Sequence, residues 1–97
     1  MIRHIVMYWL KDKAQIAHTA DVLQSMRGKI PGLLSIEACG DETHSDRSCD
    51  LCLHTVFESR EALNAYKTHP VHLPVKEHMH SVMEHSASAD YEVNTIE

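Results

Sequence analysis

The sequence lacks long apolar runs, and its positive charges are few and scattered. Its first apolar stretch, IVMYWL at residues 5–10, is far shorter than the roughly 20 residues that cross a bilayer. The stretch also begins too early for a signal peptide. Only nine Lys and Arg residues occur in a chain with a formal net charge of -5, so no basic stripe is available for phosphates or anionic lipid. We therefore expect no membrane partner and no nucleic-acid partner.

Cysteine is also scarce. Three cysteines cannot form a complete disulfide framework, so we expect free thiols and a cytoplasmic protein. The motif CDLC, with Cys49 and Cys52, has the spacing of a redox or zinc pair, and Cys39 and His44 are near it in sequence. A redox pair of this kind normally opens a helix, whereas this one enters a predicted strand. We expect no metal and no cofactor, while a redox or metal role for the three thiols stays open.

The composition is that of one small globular domain. With 97 residues, of which 43% are hydrophobic and 24% charged, the chain can build one core but not two. We therefore interpret residues 1–97 as a single domain. Nine histidines are the unusual feature, because they put many groups near their titration point at neutral pH.

The spacing of the apolar residues predicts a β-α-β-β-α-β order. Alternating or β-branched segments predict strands, and apolar residues that recur every three or four positions predict helices. The strands are expected at 2–10, 33–39, 50–57 and 90–96, and the helices at 12–28, from Ser59 to about Lys67, and after Pro74. This order closes naturally into a ferredoxin-like α+β protomer, in which a four-stranded antiparallel sheet carries its helices on one face.

Both faces of the first strand are apolar, and each needs a cover. Period-2 alternation assigns to the helices the face that holds His4, Val6, Tyr8 and Leu10. The opposite face is too apolar to leave in water. Its residues are Ile5, Met7 and Trp9, together with Cys52 and Val56 of the third strand. We therefore expect a homodimer whose two sheets form a barrel-like core.

Several short motifs resemble the stress-responsive A/B barrel family, called Dabb. They are RHIVMYWLKD near the start, IPG after the first helix, TVFES at the end of the third strand, then AYKTHPVH, and a closing ADYEV. Together they cover nearly the whole chain. The resemblance implies a ferredoxin-like protomer that pairs into a dimeric α+β barrel, in agreement with the periodicity.

Within that family, AYKTHPVH is similar to the working motif of a plant olivetolic acid cyclase, which closes a linear polyketide without cofactor or metal. The resemblance implies that neutral His72 takes a proton next to a carbonyl, while Tyr66 donates a hydrogen bond or orients the base. His69 and His4 match polar residues of that enzyme's pocket. The other pocket residues are expected to be Val6, Tyr8, Leu53 and Met83. The implied ligand is a small hydrophobic molecule that carries a carbonyl group.

The same residues allow other interpretations. Tyr66 and His69 could pack the end of a helix while His72 bonds a backbone carbonyl, without any chemistry, in a stress-responsive structural or binding protein. A cofactor-free monooxygenase is a third class, because such enzymes occur among similar dimeric barrels.

The histidines of KEHMHSVMEHS offer a weaker metal hypothesis. His78 and His85 are predicted to share one helical face, and Glu77, His80 and Glu84 another, and the second set could bind a divalent ion at the surface. We expect these faces to be solvated.

Overall fold

The computed structural model describes residues 1–96, in which four strands and three α-helices follow one another. They are β1 (Ile2–Leu10), α1 (Ile16–Gln24), β2 (Leu33–Gly40), β3 (Leu51–Phe57), α2 (Arg60–Tyr66), α3 (His72–Val82) and β4 (Met83–Glu92). A short 3-10 helix, Lys13–Gln15, leads into α1. The predicted β-α-β-β-α-β order is confirmed, with α2 and α3 together as the second helical unit.

The four strands form one sheet in the order β2-β3-β1-β4, and every neighbouring pair is antiparallel. β1 therefore lies inside the sheet, while β4 lies at an edge. In the register of these pairs, Val6 of β1 opposes Leu53 of β3 on one side and Ser88 of β4 on the other. This is the ferredoxin-like fold that the sequence predicted.

The three helices bury their apolar side chains against one face of the sheet. Alternate residues of the strands meet them there, as period 2 requires. The core contains Val6, Tyr8, Leu10, Leu51, Leu53 and Phe57 from β1 and β3, Ile36 and Ala38 from β2, and Leu23, Leu63, Tyr66, Val75 and Met79 from the helices. The predicted division of β1 into two faces is confirmed.

Among residues 1–96, no helix covers the other face of the sheet. Met7 of β1 is 41% exposed there and Tyr91 of β4 is 44% exposed. Val56 was also predicted for this face, but it is fully buried within the protomer, opposite Arg3 in the register of β1 and β3. The Arg3 guanidinium donates a hydrogen bond to the Ile96 carbonyl (3.0 Å), so the chain beyond β4 reaches this end of the sheet. We call this surface the open face.

Local sequence signals explain where α1 and α2 begin and end. The Ser59 side chain accepts a hydrogen bond from the Ala62 N–H (3.1 Å), so the predicted N-cap of α2 is confirmed. The predicted helix 12–28 is too long, because the regular α-helix ends at Gln24. From residue 26 onward the backbone N–H groups bond to the carbonyl three residues back, which tightens the chain into turns, and Gly28 follows with φ of 75°.

The boundary between α3 and β4 differs most from the prediction. α3 begins at His72 and not after Pro74, because a proline in the first helical turn gives up no intrahelical hydrogen bond. β4 begins at Met83 and not at residue 90, because the backbone there pairs with the end of β1, where Trp9 opposes His85. The predicted helical faces that include Glu84 and His85 are therefore wrong.

None of the helices between residues 1 and 96 is long and apolar enough to cross a membrane.

Candidate functional site

A cavity of about 190 Å³ lies between the helix-covered side of the sheet and α3. The register of the sheet explains its position. Val6 and Tyr8 are flanked on the β3 side by Leu53 and Leu51, but on the β4 side by serines 88 and 86. Small side chains on β4 leave space that leucines fill on β3. The lining residues are His4, Val6, Tyr8, Leu23, Tyr66, His72, Val75, Lys76, Met79, His80, Met83, Ser86 and Ser88.

His72 is the first residue of α3, and its ring is held by the turn that precedes the helix. Its Nδ1 lies 3.2 Å from the backbone carbonyl oxygen of Lys67. A carbonyl can only accept a hydrogen bond, so Nδ1 carries the proton and Nε2 keeps the lone pair. Burial lowers the pKa of His72 below the ordinary 6.5, and the charges of Lys76 and His4 act in the same direction, while hydrogen bonds to backbone carbonyls oppose them. His72 is thus a neutral imidazole with a basic Nε2 at pH 7.

Tyr66 ends α2 and stacks against His72. The two rings lie 4.0 Å apart at their centroids with 29° between their planes, and the Tyr66 ring also contacts Phe57 at 5.0 Å. Burial raises the pKa of Tyr66 well above 10, and the nearby Tyr8 adds to this shift. Burial likewise raises the pKa of Tyr8 to about 12. Both phenols therefore stay protonated at neutral pH and can donate hydrogen bonds into the cavity.

His4 reaches the same cavity from β1, where it is paired with a carboxylate. Its Nδ1 lies 2.5 Å from Asp90 Oδ1, and Asp90 is its register partner on β4. The side chains of His4 and Asp90 are only 14% and 30% exposed, so the contact is partly shielded from water. The His4 ring lies 6.1 Å from the Tyr66 ring. The carboxylate fixes the orientation of the imidazole and directs its Nε2 away from β4.

The structure brings most of the sequence-predicted site residues together, and it separates two from them. The cavity lining includes His4, Val6, Tyr8, Tyr66, His72 and Met83. Leu53 does not line it, because the side chain is 1% exposed and belongs to the core under the helices. His69 does not line it either, because its Nδ1 accepts a hydrogen bond from the Val71 N–H (3.1 Å) in the turn between α2 and α3.

Sequence reasoning missed the polar residues that α3 and β4 place in or beside the cavity. These are Lys76, His80, Ser86, Ser88 and Asp90. Two signals could have found them. His72, Lys76 and His80 are spaced four apart, as on one edge of a helix. The sequence HSASAD alternates with period 2, as a strand does.

The cysteines do not form a chemical centre. All three are free, and Cys39 lies opposite Cys52 in the register of β2 and β3. Burial raises the pKa of the Cys52 thiol, and the neighbouring Cys49 and Cys39 add to the shift, so Cys52 is a poor thiolate. Within residues 1–96, no three side chains of His, Cys, Asp or Glu are grouped so that they could hold a metal ion.

Comparisons with known proteins agree with this fold. The profile described as Stress responsive A/B Barrel Domain matches residues 2–93. A dimeric Bacteroides fragilis protein of unknown function and ferredoxin-like fold is 22% identical, with a TM-score of 0.83 and coverage of 95% of each chain. A search of curated proteins finds no match.

Two structural neighbours are described as enzymes. A hydroxynitrile lyase from Passiflora edulis is 16% identical, with a TM-score of 0.81 over 96% of this chain and 93% of that one. A cofactor-independent oxygenase from Streptomyces nogalater is 10% identical, with a TM-score of 0.77 over 97% and 93%. At these identities the likeness shows a common fold, on which different reactions can be built.

Proposed function

The chain belongs to the stress responsive A/B barrel domain family, and from that premise we propose that it binds a small hydrophobic molecule with a carbonyl group in the cavity beside α3. We further propose that it removes a proton from the carbon next to that carbonyl, without cofactor or metal. The observation that carries this proposal is the placement of neutral His72, stacked on Tyr66, at the wall of a cavity that His4 also lines.

In this mechanism His72 is the general base. Its Nε2 accepts the proton from the substrate carbon, and the electron pair of the broken C–H bond moves into an enolate. Support comes from the hydrogen bond between Nδ1 and the Lys67 carbonyl, which leaves the lone pair on Nε2, and from the lowered pKa of the ring. The same hydrogen bond strengthens when the ring becomes cationic, so it stabilises the protonated base.

Tyr66 acts on the oxygen side of the substrate. The Tyr66 phenol is held protonated by burial and is placed to donate to the enolate oxygen. A donor that is already in place near a developing negative charge acts without the reorganisation that water would need. His4 donates its Nδ1 proton to Asp90, so its remaining ring nitrogen is an acceptor that can orient a hydroxyl or N–H group of the ligand.

The size of the cavity limits the ligand. A dry apolar cavity of about 150 Å³ accommodates benzene, so the 190 Å³ here fits one ring with a short substituent or a chain of similar bulk. α1 contributes only Leu23 to the lining, and a long alkyl tail would extend out of the cavity. The proposed substrate is therefore a compact ketone.

We also propose that the chain is a homodimer that pairs through the open face. Exposed Met7 and Tyr91 and the half-buried Ile5 and Trp9 give that face an apolar surface. The Bacteroides fragilis neighbour is described as dimeric. The three free cysteines fit a reducing compartment, so the cytoplasm stays our proposed location.

Exchange of the α-protons of acetophenone in D₂O, followed by proton NMR, tests the proposal without knowledge of the natural substrate. We expect the protein to accelerate exchange, and His72→Asn to lower the catalysed rate by about 100-fold, as for loss of a general base. Asparagine keeps an N–H at the position of Nδ1 and removes Nε2. Tyr66→Phe keeps the ring stacking and should lower the rate by about tenfold, as for one lost hydrogen bond.

The matched control is His18→Asn, since His18 is an exposed histidine of α1 outside the cavity lining. It should exchange at the wild-type rate. An equal rate in the His72→Asn protein, with an unchanged melting temperature, would contradict the proposal. Binding of acetophenone without any catalysed exchange would favour a non-catalytic binding protein, and no binding would favour a structural role.

The neighbours supply a second candidate reaction, since a neutral base beside a phenol can also remove the hydroxyl proton of a cyanohydrin. The hydroxynitrile lyase of the same fold makes this the best alternative substrate class. The oxygenase neighbour adds a third class, a cofactor-free oxygenation, which rests on the fold alone. Release of cyanide from a cyanohydrin, measured for the wild type and for His72→Asn, distinguishes the lyase from an enzyme that acts on ketones.

A further inference from the structure

The wall that α3 gives to the cavity is basic, in a chain whose acids outnumber its bases by 14 to nine. His72, Lys76 and His80 follow one another at intervals of four residues, so they lie along one edge of the helix. All three line the cavity, opposite the hydroxyl groups of Ser86 and Ser88. Among residues 1–96, no aspartate or glutamate lines it.

From this arrangement we infer that the outer part of the cavity binds a carboxylate, through Lys76 and His80 of α3 with the hydroxyls of Ser86 and Ser88. This inference rests on the proposed function and narrows its substrate class from ketones to small keto acids. The carbonyl lies toward Tyr66 and His72, and the carboxylate lies toward solvent.

The exposure of the lining residues sets this orientation. Lys76, His80 and Ser88 are exposed, and they mark the side on which the cavity meets water. The inner wall is made by buried apolar side chains, among them Val6, Leu23 and Met79. A ligand with a hydrophobic body and one ionised end matches both parts, because its charge keeps contact with water while its body does not.

Lys76 is available for such a ligand because no carboxylate of the cavity competes for it. Asp90, the register partner of His4 on β4, is occupied by His4 at 2.5 Å. Glu77 follows Lys76 in sequence but is turned about 100° around the helix from it. The charge of Lys76 already acts within the site, since it contributes to the lowered pKa of His72 after burial.

The chemistry of the four groups favours a carboxylate over a neutral end group. A lysine ammonium offers three hydrogen-bond donors, and each serine hydroxyl offers one more. Together they can donate several hydrogen bonds to the two oxygens of a carboxylate. Hydrogen bonds between ionised partners are about twice as strong as neutral ones. Because Lys76 is exposed, solvent screens the pair, and the expected gain is moderate.

Binding of three probes to the intact protein tests the inference. They are benzoylformate, its methyl ester, and acetophenone. All three contain a phenyl ketone, but only benzoylformate carries a negative charge. We expect the acid to bind about tenfold more tightly than the ester in calorimetry or NMR titration, as for one charge-assisted contact. Lys76→Met should remove this preference and Lys76→Arg should retain it. Lys29→Met, a change in the exposed turn after α1, should leave it intact.

The outcomes separate the carboxylate site from the proposed function. If acetophenone and the ester bind but the acid binds no more tightly, or if Lys76→Met leaves the preference unchanged, the carboxylate site is wrong and the ketone pocket stands. If none of the three probes binds to the folded wild type, the ketone pocket is wrong, and the carboxylate site is refuted with it.

Discussion

Neighbouring residues of the same strands point to opposite faces of the sheet, and the two faces differ in how far they are buried within one protomer. On the helix side, Leu51, Leu53 and Phe57 of β3 are completely or almost completely buried within one protomer. On the open face, Met7 of β1 keeps 41% of its surface exposed, although it is just as apolar. One face is thus completed by the chain itself, and the other face keeps apolar surface exposed, which we propose a second molecule covers.

The helix side itself divides into a filled half and a hollow half. Between β1 and β3 it is filled by leucines, whereas between β1 and β4 the serines leave the cavity in which His4, Tyr66 and His72 meet. A few small residues at the edge strand leave a cavity where a core would otherwise be filled. The cavity therefore depends on the small side chains of β4 as much as on the aromatic and polar side chains that α2 and α3 contribute.

The largest effect should come from a charge placed on the open face. Met7→Asp would put a carboxylate into the proposed apolar interface twice, once from each subunit, and an unpaired buried charge costs several kcal/mol. We expect the dimer to be lost in light scattering coupled to size exclusion. Leu73→Asp is the matched control, because Leu73 is 48% exposed on α3 and faces no proposed partner. A Met7→Asp protein that remains dimeric would reject the interface.

The next largest effect should come from shortening a buried side chain of β3. The comparison is between a residue on the helix side of this strand and its neighbour on the open face. Leu53→Ala should lower the free energy of unfolding by about 3 kcal/mol, because a buried leucine loses its contacts and leaves a cavity. Its neighbour Cys52 points to the open face, and Cys52→Ala should cost less than about 1 kcal/mol. Urea unfolding at one protein concentration gives both values. A loss for Leu53→Ala no larger than that for Cys52→Ala would contradict the tight packing of Leu53 in the core.

Filling the hollow half should abolish binding without unfolding the chain. Ser88→Leu gives β4 the same residue that β3 has beside Val6, so the new side chain should occupy the cavity. We expect at least a tenfold loss of acetophenone affinity, with little change in melting temperature, since the added methyl groups fill empty space. Ser81→Leu, on the exposed surface of α3, is the control and should bind normally. Unchanged affinity in Ser88→Leu would place the ligand elsewhere.

The smallest effect concerns pH. Burial keeps the pKa of His72 in the folded state below the ordinary 6.5. Above pH 6.5 the ring is neutral in both states, and its contribution to stability is fully present. As pH falls below 6.5, the unfolded chain takes up the proton first, so this contribution is lost. Unfolding measured between pH 7 and pH 5 should therefore decline less steeply in His72→Asn than in the wild type. Parallel curves would contradict a lowered pKa.

The sequence predicted those parts of the fold that depend on local patterns. β1 is a nearly continuous run of β-branched, aromatic and other apolar residues, and Ser59 caps its helix through its own side chain, so both could be located from a few residues. The start of β4 could not, because Met79, Val82 and Met83 continue a helical spacing. The strand begins at Met83 since the edge of β1 offers backbone partners there, which is a tertiary effect.

The same limitation explains which site residues were predictable. Tyr66 and His72 stood out within one short motif, and His4 followed from the period of β1. Asp90 could be assigned to His4 only after the register of β1 and β4 was known. The sequence could not exclude Leu53 from the cavity either. Only the register shows that Val6 lies between the large Leu53 on β3 and the small Ser88 on β4, so that the cavity opens on the β4 side.

The state of the His72 ring tests the central claim most directly. In a protein labelled with nitrogen-15 at histidine, with His72→Asn used for assignment, the ring signals report both the tautomer and the pKa. We predict a neutral ring protonated at Nδ1 at pH 7, a pKa below 6.5, and a shift of the Nε2 signal when acetophenone is added. A ring protonated at Nε2, or one that titrates at or above 6.5 and does not respond to the ketone, would contradict a base poised in a ligand cavity.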